Sequence, residues 1–366
     1  MNIYLDNAAA TQLDPLVLGA MTPLLLNNYG SPFSHHQQGR DALAIIDFSK
    51  KTVARLLKAS PEEIIFTSGA TEADNIAILS AVKHEGIRHV VTTQLEHQAV
   101  LCTLKDLEKE GIIRVSYVRN DSSGNLDLDG LELILKTKPR SLITIMHTNN
   151  EIGTRYDIAR IAALSEKYGA LFHTDAAQTI GRYNFNLTRL KVHYLTGSGH
   201  KFHGPQGIGF IFIRKGLRAA QLVKGGEHGN VNIAGIAGMA KALEVAHGKL
   251  AEDQEYIWEL KSKLLSQLQN RISDIRFNGN PTDKDQSLET ILSVNFPSTR
   301  SYSGLTDYLD RSGIAVSGGK TSHVLEAIGI QVGYETIRFS FSKFNTPVEI
   351  DQLTDILVAV YNLQAA

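Results

Sequence analysis

The chain has 366 residues, of which 43% are apolar, 37 are Lys or Arg and 38 are Asp or Glu. This length and apolar content predict one large domain, a smaller companion and a sizeable buried core. The net charge of -1, spread evenly along the chain, excludes a basic stripe for nucleic acid and a polybasic membrane anchor, and it favours a small neutral or zwitterionic substrate.

Targeting segments and cysteine-based sites are also not predicted. The first residues, MNIYLDNAAAT, lack a basic start followed by an apolar run, and no apolar stretch approaches the roughly 20 residues of a membrane span. We therefore expect a cytoplasmic protein. Cys102 is the one cysteine in the sequence, which excludes an internal disulfide framework and a Cys-rich metal site, and no metal site is predicted.

Between about residues 60 and 215, short β-branched apolar runs alternate with amphipathic stretches of helical period. This alternation predicts an α/β domain in which parallel strands are joined by crossover helices. The predicted strands are Glu63–Thr67, His89–Thr93, Ser141–Met146, Ala170–His173, His193–Thr196 and Gly209–Ile213. The predicted helices include Thr71–Lys83, Gln98–Glu110 and Ile158–Tyr168.

The pattern changes after about Gly238 and predicts a smaller α+β lobe. One long helical stretch runs through Asn270 and is followed by a Gly/Pro/Asp-rich turn. A strand at Thr290–Phe296, a helix near Gly304–Ser312 and a strand at Thr336–Phe341 complete the prediction.

Polar residues directly follow the predicted strands, where ligands of open α/β sheets bind. After the first strand, Gly69 allows a tight turn and the next helix could offer its N–H groups to a phosphate, or could simply be capped by a Thr hydroxyl. His97 follows the second strand and could stack on an aromatic cofactor, although a lone histidine is usually structural. Asn149 and Asn150 follow the third strand and could hydrogen-bond a ligand or form an ordinary turn.

The next two strands end in the residues that point most directly to chemistry. Asp175 closes an apolar strand, where an ionised carboxylate must be paired or functional, and Gln178 lies three residues on. Lys201 lies between two apolar strands and among glycines, with Ser198 and His200 as neighbouring polar groups. A desolvated lysine has a lowered pKa and can form an imine with a carbonyl compound.

These segments together resemble the class V aminotransferases of the fold type I pyridoxal-phosphate (PLP) enzymes, and within them the cysteine desulfurases. The matching segments, in chain order, are YLDNAAAT (4–11), SGATEADN (68–75), EH (96–97), NNEIG (149–153), HTDAAQ (173–178), SGHK (198–201) and IRFS (337–340). The resemblance implies a PLP-transferase fold with a mainly parallel seven-stranded sheet. It also implies a PLP-binding domain at 15–245 and a small domain made of 1–14 and 246–366.

The resemblance also implies a role for each matching residue and a homodimeric assembly. Lys201 carries PLP as a Schiff base, Asp175 faces the ring nitrogen and His97 stacks on the ring. Phosphate is held by Ala70, Thr71, Ser198 and His200, and the ring oxygen side is contacted by Asn150 and Gln178. Arg338 binds the carboxylate of an amino-acid substrate with help from Asn150.

Two departures from the desulfurase pattern bear on the reaction. The loop at 315–325 is shortened and lacks the cysteine whose thiolate forms a persulfide in desulfurases. The loop near 225–230 is also trimmed, and Asn230 stands where the family has a threonine. Cys102 is expected to be a small core-facing residue, and Lys320 a solvated one.

Three hypotheses follow from these observations. The first is a PLP enzyme that acts on a small amino acid by a lyase or transaminase route without a persulfide cysteine. The second is a true cysteine desulfurase or selenocysteine lyase whose sulfur acceptor is another protein or Cys102. The third is a PLP-fold scaffold or regulator of sulfur transfer without catalysis.

Overall fold

The computed structural model describes residues 2–138, 140–222, 231–298, 304–319, 322–330 and 333–362. The helices in these ranges are α1 Pro15–Asn27, α2 Gln37–Leu57, α3 Ala70–Lys83, α4 Gln98–Lys109, α5 Leu128–Thr137, α6 Ile158–Lys167, α7 Ile233–Gly248, α8 Leu250–Arg271, α9 Leu305–Arg311, α10 His323–Ala327 and α11 Pro347–Asn362. The strands are β1 Ile3–Tyr4, β2 Ile64–Thr67, β3 His89–Thr93, β4 Arg114–Val118, β5 Leu142–Thr144, β6 Leu171–Asp175, β7 Tyr194–Ser198, β8 Gly209–Ile213, β9 Arg276–Phe277, β10 Ile291–Pro297, β11 Ile314–Ala315, β12 Ser317–Gly319 and β13 Tyr334–Ser340.

A seven-stranded sheet with the order β2-β8-β7-β6-β5-β3-β4 forms the centre of the molecule. The strands from β7 to β4 are parallel, whereas β8 runs antiparallel to both of its neighbours. Strands β5, β7 and β8 are buried along their whole length, as expected of strands covered by helices on both faces. The predicted α/β class with a mainly parallel seven-stranded sheet is confirmed.

All six strands predicted for the large domain are present, with ends shifted by up to two residues. The edge strand β4 was not predicted, because its partly exposed Arg114–Val118 sequence lacks a continuous apolar run. The long helical stretch predicted through Asn270 is present. It is divided at Lys249, whose ψ of 16° departs from helical geometry, so that α7 ends at Gly248 and α8 begins at Leu250.

Two regions of the chain have separate apolar cores. One region has two apolar clusters, which lie between the central sheet and helices that include α1 to α7. The other joins Ile3 and Leu5 with residues of α8, β10, β13 and α11, and the N-terminal β1 pairs there with β11. The division into a large domain at 15–245 and a small domain made of 1–14 and 246–366 remains a prediction, and its boundary between 245 and 246 falls within α7.

Within the described residues, every helix is either too short or too polar to cross a lipid bilayer.

Candidate active site

A cavity of about 460 Å³ lies at the carboxyl ends of the parallel strands. Its walls are formed by turns that are far apart in sequence and by residues near the two chain ends, such as Ala8 and Arg338. The cavity is lined by Ala8, Ala9, Ser68, Gly69, Ala70, Thr71, Glu72, His97, Met146, Thr148, Asn150, Asp175, Ala177, Gln178, His200, Lys201 and Arg338. The structure therefore brings together nine of the ten predicted site residues, and the tenth, Ser198, contacts one of them.

Lys201 lies in a helical turn that directly follows β7. Its Nζ donates to the carbonyl oxygens of Ala8 at 2.6 Å and Ala9 at 2.9 Å. Burial, assisted by the charge of Arg338, lowers the pKa of the Lys201 ammonium to about 8. A neutral amine is therefore accessible near physiological pH, and this is the form that reacts with carbonyl carbon.

Asp175 is the last residue of β6. Its Oδ1 accepts a hydrogen bond from the Ala177 N–H at 2.8 Å. Burial raises the pKa of Asp175 to about 6, so the carboxylate is still ionised at pH 7. Gln178, one turn later, donates through Nε2 to the carbonyl oxygen of Ala8 at 3.1 Å and faces the same cavity.

The N-terminus of α3 meets the cavity at Gly69, Ala70 and Thr71. The alternative of an ordinary hydroxyl cap is wrong, because the N-cap position is occupied by Gly69 and no side chain in the described part of the chain caps this end. The N–H groups and dipole of α3 are thus available to an anion. His200, hydrogen-bonded to Ser198 through Nδ1 at 3.0 Å, completes this side of the cavity.

His97 has a structural role and also lines the cavity. Its Nδ1 caps α4 by accepting from the Ala99 N–H at 3.2 Å. The preceding Glu96, which was not predicted as a site residue, is fully buried and accepts from the Met146 N–H at 2.9 Å and the Thr93 hydroxyl at 3.0 Å. Glu96 thereby fixes the turn that presents His97.

Arg338 projects from β13 and its guanidinium is already engaged. Nη1 donates to the carbonyl oxygen of Asn150 at 2.8 Å, and Nη2 donates to Asp6 Oδ1 and Ser317 Oγ, both at 2.9 Å. The Nε donor is buried without a partner among the described residues. A substrate carboxylate would therefore share this guanidinium with Asp6, a partner that the sequence did not reveal.

Cys102 is exposed on α4, so the expectation of a core-facing cysteine is wrong. Its Sγ donates to Gln98 Oε1 at 3.4 Å, and Gln98 Nε2 donates to His323 Nδ1 at 2.9 Å. His323 Nε2 in turn donates to the Glu96 carbonyl oxygen at 2.9 Å. His323, at the start of α10, thus contacts the turn that presents His97, while Lys320 and residues 225–230 lie outside the described residues.

The residues of the cavity fit PLP. The N-terminus of α3 suits its phosphate, and the Asp175 carboxylate, which accepts a hydrogen bond from the Ala177 N–H, suits its protonated ring nitrogen. The hydroxyl of Thr148 lines the cavity and is buried without a protein partner among the described residues, so it is available to a ligand. Each polar end of the cofactor thus has a suitable protein group in the cavity.

Comparisons with known proteins agree with this geometry. Residues 3–353 match the family model described as Aminotransferase class-V. A cysteine desulfurase IscS of Dictyoglomus turgidum is 37% identical over 97% of this chain and 93% of its own length. A cysteine desulfurase of Nostoc sp. is 38% identical over 97% of this chain and 92% of its own length. A solved NifS-like protein superimposes with a TM-score of 0.90 at 36% identity, covering 99% of this chain and all of that one.

Proposed function

Because the chain belongs to the class V aminotransferase family and is a PLP-dependent, cysteine desulfurase-like enzyme, we propose that it acts on a small amino acid without a persulfide cysteine. The reaction is either loss of a sulfur or related group from the substrate or transamination. When bound, PLP supplies an electron sink that makes the α-proton of an amino acid acidic.

Each polar group of the cavity has a task in this proposal. Lys201 would carry the cofactor, and its amine, free again once the substrate amine has taken its place, would exchange the α-proton of the substrate. Asp175 keeps the ring nitrogen protonated, and His97 covers one face of the ring. The phosphate is held by Ala70, Thr71, Ser198 and His200.

The remaining contacts bind and orient the substrate. Arg338 binds its carboxylate, and Asn150, whose carbonyl oxygen fixes the guanidinium, lies beside it. Gln178 and Asn150 contact the oxygen side of the ring. These contacts orient the substrate with its α-carbon towards Lys201. Such orientation of the reacting groups is a general requirement for selective bond cleavage.

One observation carries the proposal: Lys201, Asp175 and Arg338 line a single cavity, while Cys102 is not among the described residues that line it. The residues needed for PLP chemistry on an amino acid therefore lie in one cavity. The chain's one thiol lies outside it, on the exposed side of α4.

The test is the visible absorbance of the purified protein before and after addition of L-cysteine, L-alanine and other amino acids. We expect a cofactor band that shifts with a substrate and that is absent in Lys201→Ala. Sulfide, alanine and pyruvate assays then distinguish desulfuration, elimination and transamination. Absence of a band after incubation with PLP would refute the enzyme assignment and favour a scaffold role.

A second candidate function is a true desulfurase or selenocysteine lyase that uses Cys102 or an acceptor protein. The hydrogen-bonded chain from Cys102 through Gln98 to His323, at the turn presenting His97, favours this candidate. If Cys102 is the acceptor, Cys102→Ser abolishes persulfide formation while the cofactor band remains. Unchanged sulfide and alanine production in Cys102→Ser would exclude Cys102 and leave an external acceptor.

A further inference from the structure

A short N-terminal segment contacts both the side chain and the backbone of the turn that carries Lys201. The Lys201 Nζ donates to the carbonyl oxygens of Ala8 and Ala9. Two residues further along the segment, the Thr11 N–H donates to the carbonyl oxygen of His200 at 2.9 Å. One stretch of chain therefore holds the ammonium of Lys201 and the backbone next to it.

The hydroxyl of Thr11 connects the two sides of this turn. It donates to the His200 carbonyl oxygen at 2.8 Å and accepts from the His203 N–H at 2.8 Å. A hydroxyl has one proton to donate and lone pairs that accept, so both hydrogen bonds can form at once. Thr11 is 7% exposed and is not among the described residues that line the active-site cavity. Its side chain thus ties the residue before Lys201 to the second residue after it.

His203 has a backbone conformation that depends on such support. Its φ of 65° lies in the left-handed region, which residues other than glycine adopt rarely and at a cost. Besides the hydrogen bond to Thr11, its Nδ1 donates to the Gln12 carbonyl oxygen at 2.9 Å, and its own carbonyl oxygen accepts from the Asp14 N–H at 3.0 Å. All three hydrogen bonds come from the N-terminal segment, which therefore maintains this end of the turn.

We propose that Thr11 is a positioning residue for Lys201, because its hydroxyl fixes the backbone on both sides of Lys201 and so keeps the amine in the cavity. Thr11 lies outside the cavity and therefore acts through Lys201. Without the hydroxyl, the buried His203 N–H loses its acceptor and the left-handed backbone is free to relax. This inference rests on the proposed function, in which Lys201 carries PLP.

Loosening of the turn affects Lys201 with a defined sign. Burial is the largest of the causes that lower the pKa of the Lys201 ammonium to about 8. If the turn opens, water reaches the ammonium, its pKa rises towards the ordinary value for lysine, and a smaller fraction of the amine is neutral at pH 7. Attachment of PLP needs the neutral amine and is then slower at that pH.

Other charged and titratable groups surround Lys201 and are the same in every variant of the test. They are Asp6, His97, Asp175, Arg182, His200 and Arg338. The charge of Arg338 lowers the pKa of Lys201, whereas the charges of Asp175 and Asp6 raise it. Since these groups and the ionisations of PLP stay constant, a difference between variants reports on the turn.

The experiment measures the rate at which PLP attaches to the full-length apoprotein between pH 6 and pH 10, by stopped-flow absorbance. We expect the midpoint of the pH profile to rise by at least about half a pH unit in Thr11→Val, so that attachment at pH 7 slows about threefold or more. Thr11→Ser keeps the hydroxyl and is expected to retain the midpoint of the unsubstituted protein.

A second measurement does not depend on bound PLP. Hydrogen exchange in the apoprotein is followed by mass spectrometry in the peptide that contains the turn, and the His203 N–H is expected to exchange at least about tenfold faster in Thr11→Val. Thr354→Val is the matched control, since Thr354 is a fully buried residue of α11 whose hydroxyl also contacts two protein groups, Gln267 and the Ile350 carbonyl oxygen. It is expected to change neither the exchange of the turn nor the midpoint.

An unmoved midpoint in folded Thr11→Val would overturn the inference even if exchange is faster, because a purely structural role predicts that result. An equal shift in Thr354→Val or in Thr11→Ser would overturn it as well. If Thr11→Val does not fold, because its methyl group replaces the hydroxyl between two polar groups, Thr11→Ala takes its place with the same expected shift. Absence of a cofactor band in the unsubstituted protein would instead overturn the proposed function.

Discussion

Three groups hold the guanidinium of Arg338 in place, and a bound carboxylate must compete with the same three groups for it. Asp6, Ser317 and the carbonyl oxygen of Asn150 hold it in a fixed plane at the cavity wall. A lysine in its place has a single cationic nitrogen and cannot reach all three partners while meeting a carboxylate.

We therefore predict that Arg338→Lys raises KM for the amino acid by roughly 10- to 100-fold, as expected for loss of hydrogen bonds between charged groups, with a smaller effect on kcat. Steady-state kinetics measure this change. Arg155→Lys is the control, because Arg155 also donates to backbone carbonyl groups but lines a different cavity. Loss of the cofactor band in Arg338→Lys would indicate that Arg338 holds PLP rather than the substrate.

The lowered pKa of Lys201 gives a pH dependence with a defined sign. The buried ammonium loses its proton at about pH 8, well below the ordinary value for lysine, and only the neutral amine attacks a carbonyl. We predict that the rate of cofactor attachment to the apoprotein rises about tenfold per pH unit below pH 8 and levels off above it. Stopped-flow absorbance measures the rate, and a flat profile between pH 6 and pH 9 would contradict the prediction.

At the scale of elements, the phosphate side of the site depends on the close approach of two strands and a helix. Gly209 at the start of β8 lies against Gly197 of β7 and Gly69 at the N-cap of α3. A Cβ atom at Gly209 would lie 2.7 Å from the Gly197 carbonyl oxygen and 2.8 Å from Gly69 Cα. These neighbours are backbone atoms, so the strain cannot be relieved by a side-chain rotation.

We predict that Gly209→Ala destabilises the fold by about 1–3 kcal/mol and weakens PLP binding, because the N-terminus of α3 must shift. Thermal unfolding and PLP titration test the two effects. Gly111→Ala is the control: its positive φ of 71° costs about 1 kcal/mol, but no atom lies within 4 Å of the added Cβ. Equal PLP affinity in both variants would contradict the proposed phosphate site.

The sequence could predict the strands that carry the site because buried parallel strands are continuous apolar runs with polar residues after them. The turns after β2, β3, β5, β6 and β7 therefore identified most of the cavity. Contacts of high sequence separation could not be predicted this way. Asp6 pairs with Arg338 across more than 300 residues, and Asp74 and Glu96 occupy positions that look like ordinary helix and turn residues until their burial is known.

At the scale of the molecule, α1 and α2 expose an apolar surface. Leu25 and Leu26 of α1, Tyr29 just after α1 and Phe48 of α2 have exposed fractions of 65%, 74%, 82% and 72%. Beside them lies a groove of about 380 Å³, lined mainly by apolar residues of α1, α2 and α7, including Phe48. Projecting apolar side chains and a groove on one face are the two parts that a two-fold symmetric contact needs.

We predict that this face joins two copies of the chain into a homodimer and that Phe48→Asp yields monomers, because an aspartate in the contact would be buried without a partner. Light scattering coupled to size-exclusion chromatography measures the mass. Leu133→Asp is the control, since Leu133 is 64% exposed on α5, away from α1 and α2. A monomeric unsubstituted protein, or dissociation of both variants alike, would contradict the assignment. Dissociation of Phe48→Asp alone would place the contact on this face.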